Sequence, residues 1–485
     1  MLSRDEMVER MLANDHDTDG QFIVAVKTTG IYCLPSCRPA RKPKPENVVF
    51  YATPEEARGA GYRACKLCHP DDFYAGHHAE ESLIESLVAG VVRDPGAYHG
   101  VGQLAACAGM SVSKLHALVR TYYHTTPGDL LARARVYAAR RALLAGRRQV
   151  AEIAFAVGFA SLSSFNENFR KYSALSPLEY RRMRDQSVFV LALPANYPIA
   201  RMLRSLGRDR HRLTERVIGQ TYTTLFHCGE DEDTGCLAVV CVEFAPGHAR
   251  CTIEVPMPLG PLALERLHER IMRTLGLTYD PTRFEAQIAA RATFAPLLDG
   301  QYGLRVLLIA ELFDAVVWSI VGQQVTRTLA ATFRQRLIMR SGVGRVGALY
   351  ACPLPGPIAA LDPAELVTLG LGRAKADYLI GAARAIVGGK LPLAATMGKS
   401  VPHIERSLRD MHGIGPWSAH YVLMRHYGFL DCVPLGDTGL TTSLQHFFDL
   451  AARPGKRQTS TLMASFSPYR SLATFHFWQR LERAA

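Results

Sequence analysis

The chain has 485 residues, and at roughly 150 residues per domain this length corresponds to three or four domains. Its composition, 48% hydrophobic and 21% charged residues, is typical of a globular protein and excludes a wholly disordered or fibrous chain. The 56 Lys and Arg residues exceed the 44 Asp and Glu residues by 12, which favours a polyanionic partner, either a nucleic acid or an acidic membrane surface.

The first segment, MLSRDEMVERMLANDHD, carries acidic residues where a signal peptide would be apolar, and the sequence has no run of about 18 apolar residues. We therefore expect a cytoplasmic protein that does not bind a membrane. The eleven cysteines are too few for a disulfide scaffold, and a reducing compartment keeps them as thiols. Clustered cysteines are therefore interpreted as metal ligands.

The first predicted domain covers residues 1–76 and contains two pairs of closely spaced cysteines. Short β segments in QFIVAVKTTGIYC and NVVFYA precede a predicted helix over 54–59. The pairs have the spacings C-x3-C and C-x2-C, which suit a tetrahedral dication with four thiolate ligands: Cys33, Cys37, Cys65 and Cys68. Four thiolates on a dication leave two formal negative charges. Alkylation of one sulfur removes one of them and weakens the repulsion from DNA phosphates.

The segment from FIVAVKTTGIYCLPSC to ACKLCHPD resembles the amino-terminal zinc domain of the Ada adaptive-response family, over about 50 residues and all four cysteines. The resemblance implies that Cys33 accepts a methyl group from an alkylated phosphate, with one Zn²⁺ that is both structural and thiolate-activating. Spacing alone does not single out Cys33, and a zinc-stabilised regulator that accepts no methyl group remains an alternative. The Pro-Cys-His-Arg tetrapeptide of the family's second methyltransferase site does not occur, so we expect no repair of O6-methylguanine.

The second predicted domain, residues 81–185, is all-α and strongly basic. Residues 85–185 contain 14 Lys and Arg but only 7 Asp and Glu. We therefore expect part of the binding site for a polyanion in this domain. Two helix pairs follow from the apolar periodicity, LAACAGMSVSKLHALVRTYY and VAEIAFAVGFASLSSFNENFRKY. Each pair has a turn glycine, Gly109 or Gly158, and a serine at the start of its second helix, as a helix-turn-helix requires. An ordinary helical bundle is the alternative on spacing alone.

The second pair and the following SPLEYRR are similar to the AraC/XylS-type DNA-binding domain. The resemblance implies that residues 111–120 and 161–170 enter the major groove of promoter DNA, and it makes RNA polymerase a candidate partner. The side chains expected to contact DNA lie near the starts of these two helices: Ser113, Lys114, Ser163, Ser164 and Asn166.

From Val188 the hydrophobic period changes to two in VFVLALP, TYTTLF, LAVVCVEFA and ARCTIEVP, which predicts an antiparallel sheet. The amphipathic segment LALERLHERIMRTLG then predicts a helix packed on that sheet, which gives an α+β domain over 188–304. A helical pattern resumes in LIAELFDAVVWSIVGQQV and dominates the last predicted domain, residues 305–485.

The segment MHGIGPWSAHYVLMRHYGFLDCVPLGDTGL carries the clearest signs of chemistry. Gly413 and Gly415 bracket Ile414 in a tight turn whose backbone amides can hold a DNA phosphate. Asp437 stands at the start of a predicted helix, where an N-capping role is the better interpretation on local sequence alone.

The segment as a whole resembles the helix-hairpin-helix GPD superfamily, in the branch of AlkA-type 3-methyladenine DNA glycosylase II, and the resemblance extends over roughly residues 188–485. It implies that Asp437 is catalytic. A carboxylate suits this chemistry because cleavage of a base from deoxyribose builds positive charge on the sugar. Alkylated bases such as 3-methyladenine and 7-methylguanine are cationic and can be bound between aromatic faces.

Four side chains are candidates for binding the substrate. Trp417 and Tyr421 are four residues apart and therefore on one face of the helix after the turn. Tyr469 stands where members of the family commonly have a tryptophan, and Gln324 in VWSIVGQQVT occupies the position of the wedge that fills the gap left by the flipped base. No lysine of the hairpin suggests a Schiff base, so we expect a monofunctional glycosylase that needs no cofactor for base excision.

Three independent motifs thus predict a multidomain α+β protein: a zinc-binding methyl-acceptor domain, an all-α helix-turn-helix domain, an antiparallel α+β domain and an all-α helix-hairpin-helix glycosylase domain. Its predicted partner is double-stranded DNA, both alkylated DNA and promoter DNA, in the nucleoid of a bacterium. The alternative is a transcription factor whose glycosylase module is catalytically idle. The sequence leaves the oligomeric state open.

Overall fold

The computed structural model describes residues 2–14, 18–37, 42–74, 79–207, 211–228, 236–341, 344–391 and 398–484. The chain divides into two compact units, Met1–Ser86 and Leu87–Ala485. In the part of the chain that the structure describes, every helix is too short or too polar to cross a membrane.

The first unit is built on a four-stranded sheet in the order β3-β1-β2-β4, in which only β2 and β4 are parallel. The sheet buries both faces, with Ile23 and Tyr32 in one apolar cluster and Val24 and Val48 in another. The predicted β segments and the predicted helix over 54–59 are confirmed. The elements are β1 (Ile23–Val26), β2 (Ile31–Cys33), β3 (Val48–Tyr51), β4 (Arg63–Ala64), α1 (Arg4–Ala13), α2 (Pro54–Gly59), α3 (Pro70–Tyr74) and α4 (Ala79–Arg93), whose last turns belong to the second unit.

The second unit begins with the two predicted helix-turn-helix pairs. Ser111 and Ser161 cap the second helix of each pair, because each serine Oγ accepts a hydrogen bond from a backbone N–H three residues later, at 3.2 Å. The helices are α5 (Val101–Cys107), α6 (Val112–Tyr123), α7 (Pro127–Ala145), α8 (Val150–Ala156), α9 (Leu162–Ser173) and α10 (Pro177–Arg182).

A five-stranded sheet follows, in the order β5-β9-β8-β7-β6, with every pair antiparallel as the alternating pattern predicts. The edge strand β6 was not predicted, because its residues are half-buried or exposed on both faces and therefore do not alternate. The elements are β5 (Val188–Ala192), α11 (Ile199–Leu206), β6 (Glu215–Ile218), β7 (Thr221–His227), β8 (Leu237–Ala245), β9 (His248–Glu254), α12 (Pro261–Thr274) and α13 (Thr282–Ala289).

The last part of the chain is helical, apart from a small ribbon of two-residue strands. The helix predicted in LIAELFDAVVWSIVGQQV ends at Val321, before the apolar pattern ends. The backbone cannot continue the helix through Gln324, because that residue has a left-handed φ of 55°. The elements are α14 (Leu312–Val321), α15 (Arg327–Arg340), β10 (Arg345–Val346), β11 (Leu349–Tyr350), α16 (Pro355–Ala359), α17 (Pro363–Thr368), α18 (Arg373–Val387), α19 (Val401–Arg409), α20 (Pro416–Val422), a π-helical turn (Leu423–Tyr427), α21 (Thr438–Phe447), α22 (Lys456–Ala464) and α23 (Arg470–Ala484).

Within the second unit, one continuous hydrophobic core extends from Val136 of α7 to Phe477 of α23. A buried ion pair lies between α7 and α12: the Arg140 side chain is 1% exposed, and its Nη1 is 2.7 Å from Oε2 of Glu269. The Arg140 Nε also donates to Ser173 Oγ at 3.0 Å. The helix-turn-helix helices and the α+β layer therefore fold as one body.

We expect Arg140→Ala to lower the free energy of unfolding of the second unit by about 3 kcal/mol, because it leaves the carboxylate of Glu269 without its buried partner. The matched control is Arg373→Ala. Arg373 pairs with Asp377 at 3.3 Å and both side chains are exposed, 67% and 41%, so we expect a loss of about 0–1 kcal/mol. Urea unfolding measures the free energy of unfolding of each variant. Equal losses in the two variants would contradict a stabilising role of the buried Arg140–Glu269 pair.

Candidate functional sites

The carboxylate of Asp437 accepts hydrogen bonds from three different helices. As the N-cap of α21 it accepts from the backbone N–H of Leu440 at 2.7 Å, which confirms the capping role. The indole Nε1 of Trp417, on α20, donates to its Oδ2 at 3.2 Å, and that of Trp478, on α23, donates to its Oδ1 at 2.9 Å. The side chain is half-exposed. The N–H donors hold the carboxylate in one orientation, with the rest of its surface open to a ligand.

Three aromatic rings surround this carboxylate. Trp417 and Tyr421 are stacked, with ring centroids 5.5 Å apart and an interplanar angle of 21°, in agreement with their predicted position on one helix face. Tyr421 also contacts Trp478, with centroids 6.4 Å apart. All three residues are half-exposed, so part of each ring is accessible to a planar ligand.

Sequence analysis missed Trp478, which lies far along the chain from the hairpin. Its neighbours on α23 are mostly buried, so the sequence pattern predicts a core helix there and does not distinguish Trp478 from the other apolar residues. The sequence signal that could have found it is the rarity of tryptophan, since the chain has only three. In the structure, two of the three donate to Asp437.

Tyr469 has a different ring contact from the one expected of a stacking residue. Its ring meets Phe284 of α13 edge-on, with centroids 6.2 Å apart, and Phe284 is fully buried. The structure therefore brings Trp417 and Tyr421 together with Asp437 and joins Tyr469 to the wall of the α+β layer.

Gln324 is exposed, and its left-handed backbone follows directly on the end of α14. The preceding residue, Gln323, turns toward the hairpin, where its Nε2 donates to the carbonyl of Gly413 at 2.9 Å and to Ser418 Oγ at 3.1 Å. The hairpin thus holds the segment that presents Gln324.

The hairpin turn itself needs a glycine at only one of its two glycine positions. Gly413 has a φ of 88°, and a Cβ there would lie 2.1 Å from the ring of Tyr378. Gly415 has a φ of −84° and open space around it, so contacts within the protein require no glycine there. Ile414 is 4% exposed and anchors the turn in the core.

The predicted DNA-contacting residues of the helix-turn-helix pairs lie on the first turns of α6 and α9. Four of them are exposed, namely Ser113, Lys114, Ser163 and Ser164. Asn166 is half-exposed, and its Nδ2 donates back to the carbonyl of Leu162 at 2.8 Å. Both helices therefore present short polar side chains outward at their amino-terminal ends.

The four cysteines of the first unit converge as the spacing predicts. The Sγ atoms of Cys33, Cys37, Cys65 and Cys68 all lie within 4.8 Å of one another. Four sulfurs at about 2.3 Å from a tetrahedral Zn²⁺ are about 3.8 Å apart, so the cluster fits the ion. The hydrogen bond between the two thiols lowers the pKa of Cys37 and raises the pKa of Cys33. The cluster thus favours a negative charge that a cation neutralises.

The four sulfurs have different surroundings. Backbone N–H groups donate to the sulfurs of Cys65 and Cys68, from Leu67 and Leu34, at 3.4 Å each. Cys37 is buried, whereas Cys33 is half-exposed. Hydrogen bonds to a thiolate withdraw charge from it, so Cys33 combines access with the fewest backbone donors in the described part of the cluster.

Family models match three parts of the chain. Residues 6–71 match the metal binding domain of Ada, residues 104–183 match a helix-turn-helix domain, and residues 317–468 match the HhH-GPD superfamily of base excision DNA repair proteins.

Curated relatives match the same parts. The chain is 28% identical over 501 aligned positions to a probable bifunctional transcriptional activator/DNA repair enzyme AlkA of Mycobacterium tuberculosis, covering 97% of this chain and 95% of the relative. It is 30% identical to the bifunctional transcriptional activator/DNA repair enzyme AdaA of Bacillus subtilis, covering 37% of this chain and 83% of the relative.

Among solved structures, the 3-methyladenine DNA glycosylase of Archaeoglobus fulgidus matches with a TM-score of 0.50 and 15% identity. The match covers 60% of this chain and 97% of that structure, and at this identity it shows the fold alone. The family models and the AdaA relative identify the two halves. The chain therefore belongs to the family of Ada-type bifunctional transcriptional activator/DNA repair proteins, and its carboxy-terminal part carries an HhH-GPD base excision repair domain.

Proposed function

We propose that the chain is a DNA glycosylase that hydrolyses the N-glycosidic bond of alkylated bases of the 3-methyladenine and 7-methylguanine type, fused to a methylation-responsive transcription regulator. The observation that carries the glycosylase proposal is the Asp437 carboxylate, held by two indole N–H groups beside three half-exposed aromatic rings. A relative from Bacillus subtilis, 26% identical over 302 residues, is named DNA-3-methyladenine glycosylase, which supports 3-methyladenine as a substrate.

The reaction breaks the bond between C1′ of the deoxyribose and the base nitrogen. Positive charge develops on the sugar, and the Asp437 carboxylate stabilises it or orients the water that adds to C1′. The alkylated base is cationic before cleavage and leaves as a neutral molecule, so little acid catalysis is needed. Its charge is attracted to the aromatic faces by about 0.5–2 kcal/mol, which a neutral base does not gain.

Binding requires the damaged nucleotide to leave the helix, at a cost of a few kcal/mol. We assign the hairpin of Gly413, Ile414 and Gly415 to the DNA phosphate and Gln324 to the gap left by the flipped base. The exposed side chain and left-handed backbone of Gln324 support its role in filling the gap. We assign stacking to Trp417, Tyr421 and Trp478. The stacking role of Tyr469 stays a prediction; its ring contacts Phe284 edge-on.

The first unit is proposed as the methylation sensor, with Cys33, Cys37, Cys65 and Cys68 as ligands of one Zn²⁺. The ion would supply a structural centre and thiolates that are reactive at neutral pH. The Cys33 sulfur attacks the methyl carbon of a methyl phosphotriester, the methyl C–O bond breaks, and the phosphate leaves as a diester anion. The exposure of Cys33 and the N–H donors on Cys65 and Cys68 support this choice of acceptor.

Methylation removes one negative charge from the cluster, which weakens its repulsion from DNA phosphates. We propose that α6 and α9 then read promoter DNA in the major groove through Ser113, Lys114, Ser163, Ser164 and Asn166, and that RNA polymerase is the partner of the activated regulator. The proposed domains are 1–76, 81–185, 188–304 and 305–485.

The glycosylase is tested by base release from methylated duplex DNA at fixed salt. We expect Asp437→Asn to lower the single-turnover rate about 100-fold or more, because the substitution removes the anion and keeps its shape. Asparagine is as good an N-cap as aspartate, so α21 is retained.

The matched control is Asp362→Asn, the same change at the N-cap of α17, where we expect an unchanged rate. Full activity of Asp437→Asn would eliminate the proposed role of the carboxylate. If neither the parent nor the variant released base while both bound the DNA, the chain would be a regulator with an idle glycosylase module.

Methyl transfer is tested by mass spectrometry after incubation with DNA that carries methyl phosphotriesters. We expect one added methyl group on the peptide that contains Cys33, and one zinc ion per chain by elemental analysis before the reaction. The control is Cys107→Ser, which changes an exposed cysteine of α5 and should leave the added mass in place. A Cys33 thiol that stays unmodified in excess substrate would rule out transfer and leave a zinc-stabilised regulator.

A further inference from the structure

The segment between the π-helical turn and α21, residues 428–437, has no regular secondary structure and ends at Asp437. Two of its backbone N–H groups bond within the segment, Leu435 to the Val433 carbonyl at 2.9 Å and Asp437 to the Pro434 carbonyl at 3.1 Å. Other N–H groups of the segment depend on acceptors from elsewhere. Three consecutive backbone N–H groups in its middle donate to side chains from three different helices: Asp431 to His124 Nδ1 at 3.2 Å, Cys432 to Ser471 Oγ at 2.9 Å and Val433 to His420 Nδ1 at 3.1 Å.

Two of these acceptors belong to the glycosylase part of the chain. His420 lies on α20 between Trp417 and Tyr421, and Ser471 lies in the first turn of α23, the helix that carries Trp478. They tie the segment to the helices that bear the aromatic rings, so the position of Asp437 is linked to the position of its indole donors.

The third acceptor comes from the helix-turn-helix part. His124 is the C-cap of α6, the first proposed recognition helix, and has a left-handed φ of 52°. That backbone conformation directs the chain out of α6, and the ring meets Phe429 of the same segment edge-on, with centroids 5.7 Å apart. His124 therefore contacts the segment twice, once with its ring and once with Nδ1.

Asp431 is held from the opposite side by Arg470. The Nε of Arg470 lies 2.8 Å from Oδ1 of Asp431, its Nη2 lies 3.0 Å from Oδ2, and Nη2 also donates to the Asp431 carbonyl at 2.9 Å. This fork holds the carboxylate and the carbonyl and leaves the N–H of Asp431 to His124.

We propose that His124 is a positioning residue of the glycosylase site: its Nδ1 accepts the Asp431 N–H and thereby places the segment that presents Asp437. The regulator's helix-turn-helix domain is then a part of the glycosylase. This inference rests on the proposed function, because it assigns Asp437 its role in base excision.

The protonation state of His124 is suited to this contact. Burial lowers the pKa of its imidazole to about 4, so the ring is neutral at pH 7. In the Nε2–H tautomer, Nδ1 keeps the lone pair that the Asp431 N–H needs. Loss of the acceptor would leave a half-buried N–H unpaired and remove one of the three side-chain acceptors of the segment, while the Arg470 fork remains.

The test compares His124→Gly with His124→Asn in the full chain. Glycine and asparagine both tolerate the left-handed backbone at position 124, but only asparagine places an oxygen acceptor where Nδ1 of His124 stands. We expect the single-turnover rate of base release from methylated duplex DNA to fall about tenfold in His124→Gly and to recover in His124→Asn. The dissociation constant for a duplex with an abasic-site analogue should stay within about twofold in both variants, because the hairpin that holds the phosphate is untouched.

Amide hydrogen exchange of residues 428–437 gives a readout that does not depend on activity. We expect faster exchange in His124→Gly and parent-like exchange in His124→Asn. The matched control is Asn14→Gly, which changes the left-handed C-cap of α1 and should alter neither the rate nor this exchange.

Parent-like rate and exchange in His124→Gly would overturn the positioning role, and so would a loss in His124→Asn as large as that in His124→Gly. Failure of the proposed function looks different, because the parent itself would then release no base. In that case the exchange data alone would still decide whether His124 holds the segment.

Discussion

The carboxylate of Asp437 is the point on which the geometry of the site depends. It accepts hydrogen bonds from a backbone N–H at the start of α21, from the indole on α20 and from the indole on α23. A shift of any one of these helices therefore moves a donor away from the carboxylate. One side chain thus caps a helix and lies beside the half-exposed indoles of Trp417 and Trp478. The two roles are compatible because a carboxylate has lone pairs to spare after three hydrogen bonds.

Around this point the second unit behaves as one body. The continuous core from α7 to α23 and the buried Arg140–Glu269 pair join the helix-turn-helix helices to the α+β layer, and the contact of His124 with Asp431 brings α6 to the glycosylase segment itself. The cysteine cluster belongs to the separate first unit, which has its own sheet and its own two apolar clusters.

Much of the fold could be predicted because the signals are local. Alternation of apolar residues identified β5, β7, β8 and β9, a serine start identified α6 and α9, and paired cysteines identified the metal cluster. The edge strand β6 escaped because neither of its faces is fully buried. The end of α14 was placed too late, because the apolar pattern continues past Val321 while the backbone turns into the left-handed region at Gln324.

By itself the sequence determined which residue types were available for chemistry and where short-range geometry would place them: four thiols in two pairs, a glycine turn, and an aspartate at a helix start. Only the tertiary structure decided which partners meet. It brought Trp478 to Asp437, turned Tyr469 to Phe284 and set His124 against Asp431. Contacts between residues far apart in the chain depend on how whole helices pack, and hydrophobic periodicity specifies the buried face of a helix but not the partner that covers it.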